Sequence, residues 1–157
     1  MITVRVADIQ EDALTIMHGA RDCVRRHKAH ESDLNIGSLF PDDDNVLIQS
    51  ISRLVQCKGL EILIAEDDGR VVGGLGVLYM PYMWNLELLT GDKLFWWTEE
   101  DAPFRTAIIL VNEAMRRIEL RGAMPIFRAL KTDPKGVENL YRRLDMVPVE
   151  TIYMRLP

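Results

Sequence analysis

Leu94-Phe95-Trp96-Trp97-Thr98-Glu99-Glu100 reads as an aromatic strand. It runs into an amphipathic helix, a second strand, and a helix ending Asn139-Leu140-Tyr141-Arg142-Arg143-Leu144-Asp145-Met146-Val147-Pro148. A strand that feeds a helix aims unpaired backbone N–H groups past the strand end, and anions bind there. From Phe104 onward, Ala107, Ile108, Val111, Ala114, Met115 and Ile118 form one helical stripe, with Arg105, Asn112, Glu113, Arg116 and Glu119 largely off it. Pro103 suits the first turn of this helix and Gly122 its end. Pro125 to Leu130 reads as a buried strand, and Asp133-Pro134 opens the last helix, with Val137, Leu140, Tyr141 and Leu144 on its inner face.

Toward the amino terminus, Ile2, Val4 and Val6 alternate with Thr3 and Arg5, which predicts a first strand. Asp8 can cap a helix carrying Ile9, Ala13, Ile16, Met17, Ala20 and Val24 at helical spacing. Residues 31–44, with Gly37, Pro41 and three aspartates, read as a loop, and a second helix runs from near Asp44 and stops by Gly59. Leu60 to Ala65 and Val71 to Tyr79 read as a hairpin joined by Glu66-Asp67-Asp68-Gly69-Arg70. Gly73, Gly74 and Gly76 permit close approach of another group to its second strand. Tyr79 to Trp84 contains Pro81 and reads as a covering loop, and Gly91-Asp92 as a turn before the central strand. The final segment, Val147 to Leu156, is strand-like.

The resulting order, β-α-α-β-β-β-α-β-α-β, predicts an α/β fold in a single domain over residues 1–157, with a mixed central sheet flanked by helices. A chain of 157 residues can bury a substantial core, and a 48% hydrophobic content with charges spread throughout favours a folded domain. A formal net charge of −5 argues against nucleic-acid and acidic-membrane binding. Arg25-Arg26-His27-Lys28 and Arg116-Arg117 are too short to reverse it and read as solvated helix faces. Cys23 and Cys57 read as buried free thiols. His18, His27 and His30 lack partners at metal-ligand spacing, so no metal is expected. No signal-peptide pattern or membrane-length apolar run occurs, and a cytoplasmic location is expected, with a virion as the alternative.

Leu140-Tyr141, followed by Arg-Arg-Leu-Asp-Met and Val147-Pro148, resembles the segment of the GCN5-related N-acetyltransferase (GNAT) superfamily in which Leu-Tyr precedes Gly-Phe and a strand. The element order resembles that family over nearly the whole chain. Departures fall at Asp145 and Met146, where the family has glycine and an aromatic residue, and at Pro134, where it often has asparagine. The family's Gln/Arg-x-x-Gly-x-Gly/Ala falls on residues Ala102 to Ala107, where only Ala107 fits. One closing strand is absent from the reading. Chains with such eroded motifs also resemble acetyltransferase-like proteins of bacteriophages, some of them virion components.

The resemblance implies acetyl-coenzyme A as cosubstrate and transfer of its acetyl group to the amine of a small molecule or protein. It places the pantetheine arm along the backbone of Trp96, Trp97 and Thr98, and the pyrophosphate on the N–H groups of Phe104, Arg105, Thr106 and Ala107. Lys135 and Arg142 or Arg143 could reach phosphates; as residues alone they read as a solvated helix face. Glu99, Glu100 and Asp101 crowd the helix start with negative charge. Tyr141 is the candidate acid for the leaving thiolate; its plain alternative is a half-buried core tyrosine. Glu99 and Glu100 are the candidate bases, with Glu87 and Asp92 behind them; solvated strand-end carboxylates are the plain alternative. Trp84, Trp96 and Trp97 could form an aromatic wall, with one of the last two in the core. The alternative function is a catalytically degenerate structural or partner-binding protein, in which an unpaired terminal strand could support self-association or virion assembly.

Overall fold

The computed structural model describes residues 1–29, 43–128 and 135–149, apart from the side chains of residues 26–29, 44 and 135. Its elements are β1 (Ile2–Val6), α1 (Ile9–Ala29), α2 (Asp44–Leu54), β2 (Leu60–Asp67), β3 (Arg70–Tyr82), β4 (Asn85–Thr98), α3 (Thr106–Leu120), β5 (Met124–Phe127) and α4 (Lys135–Arg143). Asp8 caps α1 by accepting from the Gln10 N–H at 2.8 Å, and Asp43 caps α2 through Asn45 at the same distance. Asp68 and Gly69 both take positive φ, 49° and 81°, as a tight hairpin turn between β2 and β3 requires.

The five strands pair in chain order, β1-β2-β3-β4-β5, antiparallel except for the parallel β4–β5 pair. This is the mixed α/β sheet expected. α3 covers one face, setting Leu110, Val111, Ala114 and Ile118 on Leu63, Ala65, Val72, Leu75 and Val77. α1 and α2 cover the other, setting Ile16, Ala20, Leu47 and Ile51 on Ile62, Ile64 and Trp97. Burial of these two apolar layers is the main driving force for this arrangement.

Four sequence expectations are corrected. The 79–92 stretch is not a loop with a turn at Gly91-Asp92: β3 runs on to Tyr82, and β4 starts at Asn85 and passes through both residues. Pro81 is tolerated because Tyr79 directs its N–H to the β2 side, where it donates to the Gly59 carbonyl at 2.9 Å. Pro81, two residues on, turns its nitrogen to the same side beyond the end of β2, so no ladder bond is lost. Gly91 serves packing rather than turning, since a Cβ there would lie 2.6 Å from Cγ1 of Ile118. Second, Trp84 stands 81% exposed at the β3–β4 turn, so no wall with Trp96 and Trp97 forms. Third, Cys57 is exposed, in the turn that follows α2, while Cys23 is half-buried. Fourth, Val147 to Val149 are not in a strand. The rest of that expected strand, most of the 31–44 loop and the Asp133-Pro134 helix start lie outside the described residues.

Candidate active site

β4 changes phase in its middle. Phe95 lies opposite Gly76 and Lys93 opposite Val77, so Leu94 is an extra residue, a β-bulge. Beyond the bulge, Trp96 packs with the α3 core and Trp97 with the α1–α2 core. Before it, Lys93 shares the α3 face with Gly91, so Lys93 and Trp96 meet despite their odd spacing: the ammonium sits 5.2 Å from the Trp96 ring centroid. Bulges bend a strand and end its pairing. Among the described residues the last β4–β5 rung is Lys93–Phe127, next to the bulge, while β4 runs on to Thr98 paired with β3.

Tyr141 marks this fork. Its ring stands edge-on to Phe127, with centroids 5.6 Å apart, and its phenol oxygen accepts a hydrogen bond from Lys93 Nζ at 2.8 Å. Both residues are buried, Tyr141 at 7% exposure and Lys93 at 5%. The ammonium also lies 5.5 Å from the Tyr141 ring centroid, so two aromatic faces stabilise the cation where water is scarce. The Lys93–Tyr141 hydrogen bond therefore joins the two elements that flank the fork, β4 and α4.

Asp92 points to the opposite face from Lys93. It is 4% exposed, its Oδ2 pairs with Arg128 at 2.7 Å, and its Oδ1 has no hydrogen-bond partner among the described residues. Burial pushes its pKa up, against the opposing pull of Arg128 and Lys93. A carboxylate with raised pKa and one unused buried oxygen is suited to take a proton.

Past the fork, the Glu99 N–H donates to the Val72 carbonyl at 3.0 Å, which fixes the alternation of β4. Trp96 and Thr98 consequently direct their N–H and C=O groups to the other edge, beyond the end of β5. The Trp96 carbonyl accepts from the Cys23 thiol at 3.2 Å. Trp97 turns its backbone to β3, and its indole is 3% exposed and packed against Gly19 and Gly74, where a Cβ would fall 2.0 and 2.2 Å from ring atoms.

The α3 start differs from the sequence expectation in detail. The helix begins at Thr106, whose N–H already donates to the Pro103 carbonyl at 2.9 Å and whose side chain is fully buried. Phe104, Arg105, Ala107 and Ile108 therefore carry the N–H groups that no backbone acceptor takes among the described residues. Phe104 is 92% exposed, so its ring stands in solvent rather than over the helix start. Asp101 is paired with Arg70 at 2.7 Å, and Glu100 is exposed. Lys135 opens α4, and its side chain lies outside the described residues.

Glu99 and Glu100 lie six and seven residues beyond Lys93 in the chain, past the end of β4. A base must stand within hydrogen-bond reach, directly or through one water, of the proton it removes. Glu99 and Glu100 follow the end of β4 at Thr98, just before the α3 start, whereas Asp92 adjoins Lys93 at the fork. Lys93, Phe127 and Arg128 were not singled out from the sequence. The available signal was Asp92-Lys93 embedded in an otherwise apolar run, since buried charges require partners. A cavity of about 350 Å³ opens elsewhere, bordered by Val6, Gly59, Glu61, Arg117 and Arg121. Glu61 there is held by both arginines, within 2.6 Å of Arg117, and serves as an ion-pair anchor between β2 and α3.

Helices on both faces of a mixed sheet, with β4 and β5 as its parallel pair, give the arrangement of the GNAT fold. Solved structures of that fold match over essentially full length. A ribosomal-protein-alanine N-acetyltransferase from Brucella melitensis biovar Abortus 2308 has a TM-score of 0.74 at 16% identity, covering 99% of this chain and 98% of its own. A predicted acetyltransferase with acetyl-CoA from Clostridium acetobutylicum has a TM-score of 0.68 at 16% identity, with 99% and 97% covered. A GCN5-related N-acetyltransferase from Ralstonia eutropha JMP134 has 0.69 at 15%, with 99% and 98% covered. No family model and no curated protein matches the sequence. No helix among the described residues is long and apolar enough to cross a membrane.

Proposed function

We propose that this chain is an acetyl-coenzyme-A-dependent N-acetyltransferase that works by direct attack of an amine in a ternary complex. The observation that carries the reading is the buried phenol of Tyr141 at the fork, on a fold whose solved examples include N-acetyltransferases. The cosubstrate fits the residues present. Its pantetheine arm meets the outward backbone groups of Trp96 and Thr98, and its pyrophosphate meets the N–H groups at the α3 start, with Arg105 adding charge. The thioester then lies at the fork.

Acid and base flank that point from opposite faces. The amine lone pair adds to the thioester carbonyl carbon, and the C–S bond breaks with its electron pair on sulfur. The phenol proton of Tyr141 passes to that sulfur. The proton lost by the amine goes to Asp92, directly or through one water, and solvent restores both groups. Glu99 and Glu100 sit instead at the phosphate end. The acceptor is an amine of a small molecule or protein; the net charge of −5 favours a cationic one.

One observation favours the second reading, a partner-binding protein without catalysis: the α3 start has no glycine and faces Glu99, Glu100 and Asp101, which repel an anion. Isothermal titration with acetyl-coenzyme A and with coenzyme A separates the two. Micromolar binding, followed by turnover in an amine panel that includes an N-terminal-alanine peptide, supports the enzyme. Absence of binding at millimolar ligand by folded protein favours the second reading.

A further inference from the structure

We infer that Lys93 is a positioning residue for acetyl transfer, one that keeps the Tyr141 phenol proton available for the leaving thiolate. The inference rests on the acetyltransferase reading and extends it to a side chain outside the family resemblance. An ammonium is a donor only, so at 2.8 Å it takes a lone pair of the phenol oxygen and cannot receive the phenol hydrogen. The O–H of Tyr141 is therefore directed elsewhere than at Lys93. A charge-assisted bond between two buried groups also fixes where the oxygen stands, and proton donation depends on that placement.

The surroundings explain why the cation stays there. Trp96 and Tyr141 present ring faces at 5.2 and 5.5 Å, and the neighbouring Asp92 carboxylate lies on the other face of the strand. The β-bulge at Leu94 is what makes the contact: in a regular strand, residues three apart such as Lys93 and Trp96 would project to opposite sides of the sheet. Phe127 supports the phenol ring from β5. Lys93 touches neither the thioester nor the amine in this arrangement and acts through Tyr141.

The test is a double-mutant cycle on the full chain, with hydroxylamine as a minimal neutral nucleophile and coenzyme A release from acetyl-coenzyme A as the readout over an enzyme-free control. Tyr141→Phe is expected to lower kcat about a hundredfold. Lys93→Met is expected to lower it about tenfold or more, the scale of one hydrogen bond to a charged group, with acetyl-coenzyme A affinity by calorimetry unchanged. In the Tyr141→Phe background, Lys93→Met should have no further effect, because its partner is gone. Lys93→Arg, which keeps a cationic donor, should recover part of the rate and serves if Lys93→Met fails to fold. A slow Tyr141→Phe variant beside a Lys93→Met variant at the wild-type rate, or additive losses in the double variant, overturns the inference alone. Wild-type protein that does not exceed the enzyme-free rate overturns the acetyl-transfer reading and the inference with it, whereas a Tyr141→Phe variant with unchanged kcat overturns the acid role of Tyr141 and, with it, the inference alone.

Discussion

The two ends of the outward stretch of β4 are built in opposite ways. At the fork, side chains do the work: Lys93, Asp92 and Tyr141 are buried, and each makes a polar contact to a named partner. At the α3 start, Phe104 and Arg105 are exposed, the side chain of Thr106 is buried within the fold, and what faces outward is backbone N–H. A reacting group must be desolvated and held in place, which takes specific side chains. An anion needs only helix N–H groups and room, which many sequences supply. The fork can therefore be disrupted by one substitution, and the helix start tolerates most.

The largest expected effect contrasts the two ends directly. Tyr141→Ala should destabilise the fold by about 3–5 kcal/mol, as loss of a buried aromatic ring does, while Phe104→Ala should stay within about 0.5 kcal/mol of wild type. Urea denaturation reads both. Equal losses would mean that Phe104 is packed and the comparison is wrong.

The next effect sets the fork carboxylate against one that only holds the fold. Asp12 accepts two hydrogen bonds from Arg5, at 2.6 and 2.9 Å, and its pKa is lowered by them. Its stabilisation is present above the unfolded pKa and is lost as pH falls through the folded one. Asp12→Asn should cost about 1–3 kcal/mol at neutral pH and flatten acid unfolding. Asp92 has the opposite sign. Its folded pKa is raised by burial, so the native state holds the proton more tightly than the unfolded chain, and stability falls as pH rises from the unfolded pKa through the folded one. Asp92→Asn should remove that slope and leave stability at neutral pH equal or higher, while turnover drops. Thermal unfolding across pH 3 to 8, a span of about 5 units bracketing the carboxylate range, checks both signs.

Much of the fold is legible because its elements follow period and capping rules. The α3 stripe, the Asp8 cap and the Asp68-Gly69 turn are local, and each was readable from residues a few positions apart. Residues 85–93 were not, because Pro81 and Gly91-Asp92 are turn residues by local rules. Their true roles are set by where β2 ends and where Ile118 packs. With the strand start misplaced, Lys93 could not be seen as buried, and the bulge at Leu94, a tertiary feature, hid its meeting with Trp96. Tyr141 was legible through the Leu-Tyr resemblance, and its partner was not. Asp145 shows the converse: the departure from glycine is real, and the backbone still takes the left-handed conformation, φ 56°. Aspartate is among the few residues that tolerate it. Asp145→Gly should therefore stabilise the end of α4 by about 1 kcal/mol, the smallest effect expected here, readable as a rise in Tm.

The central claim is that acetyl-coenzyme A lies along the outward edge of β4 with its phosphates on α3 and its thioester at the fork. Amide hydrogen exchange, resolved by residue with and without acetyl-coenzyme A, tests it most directly. The account predicts slowed exchange at Trp96, Thr98, Ala107 and Ile108, with Gly73 and Gly74 on the paired side of the sheet unchanged. Protection confined to other elements, or no change at saturating ligand, would contradict it.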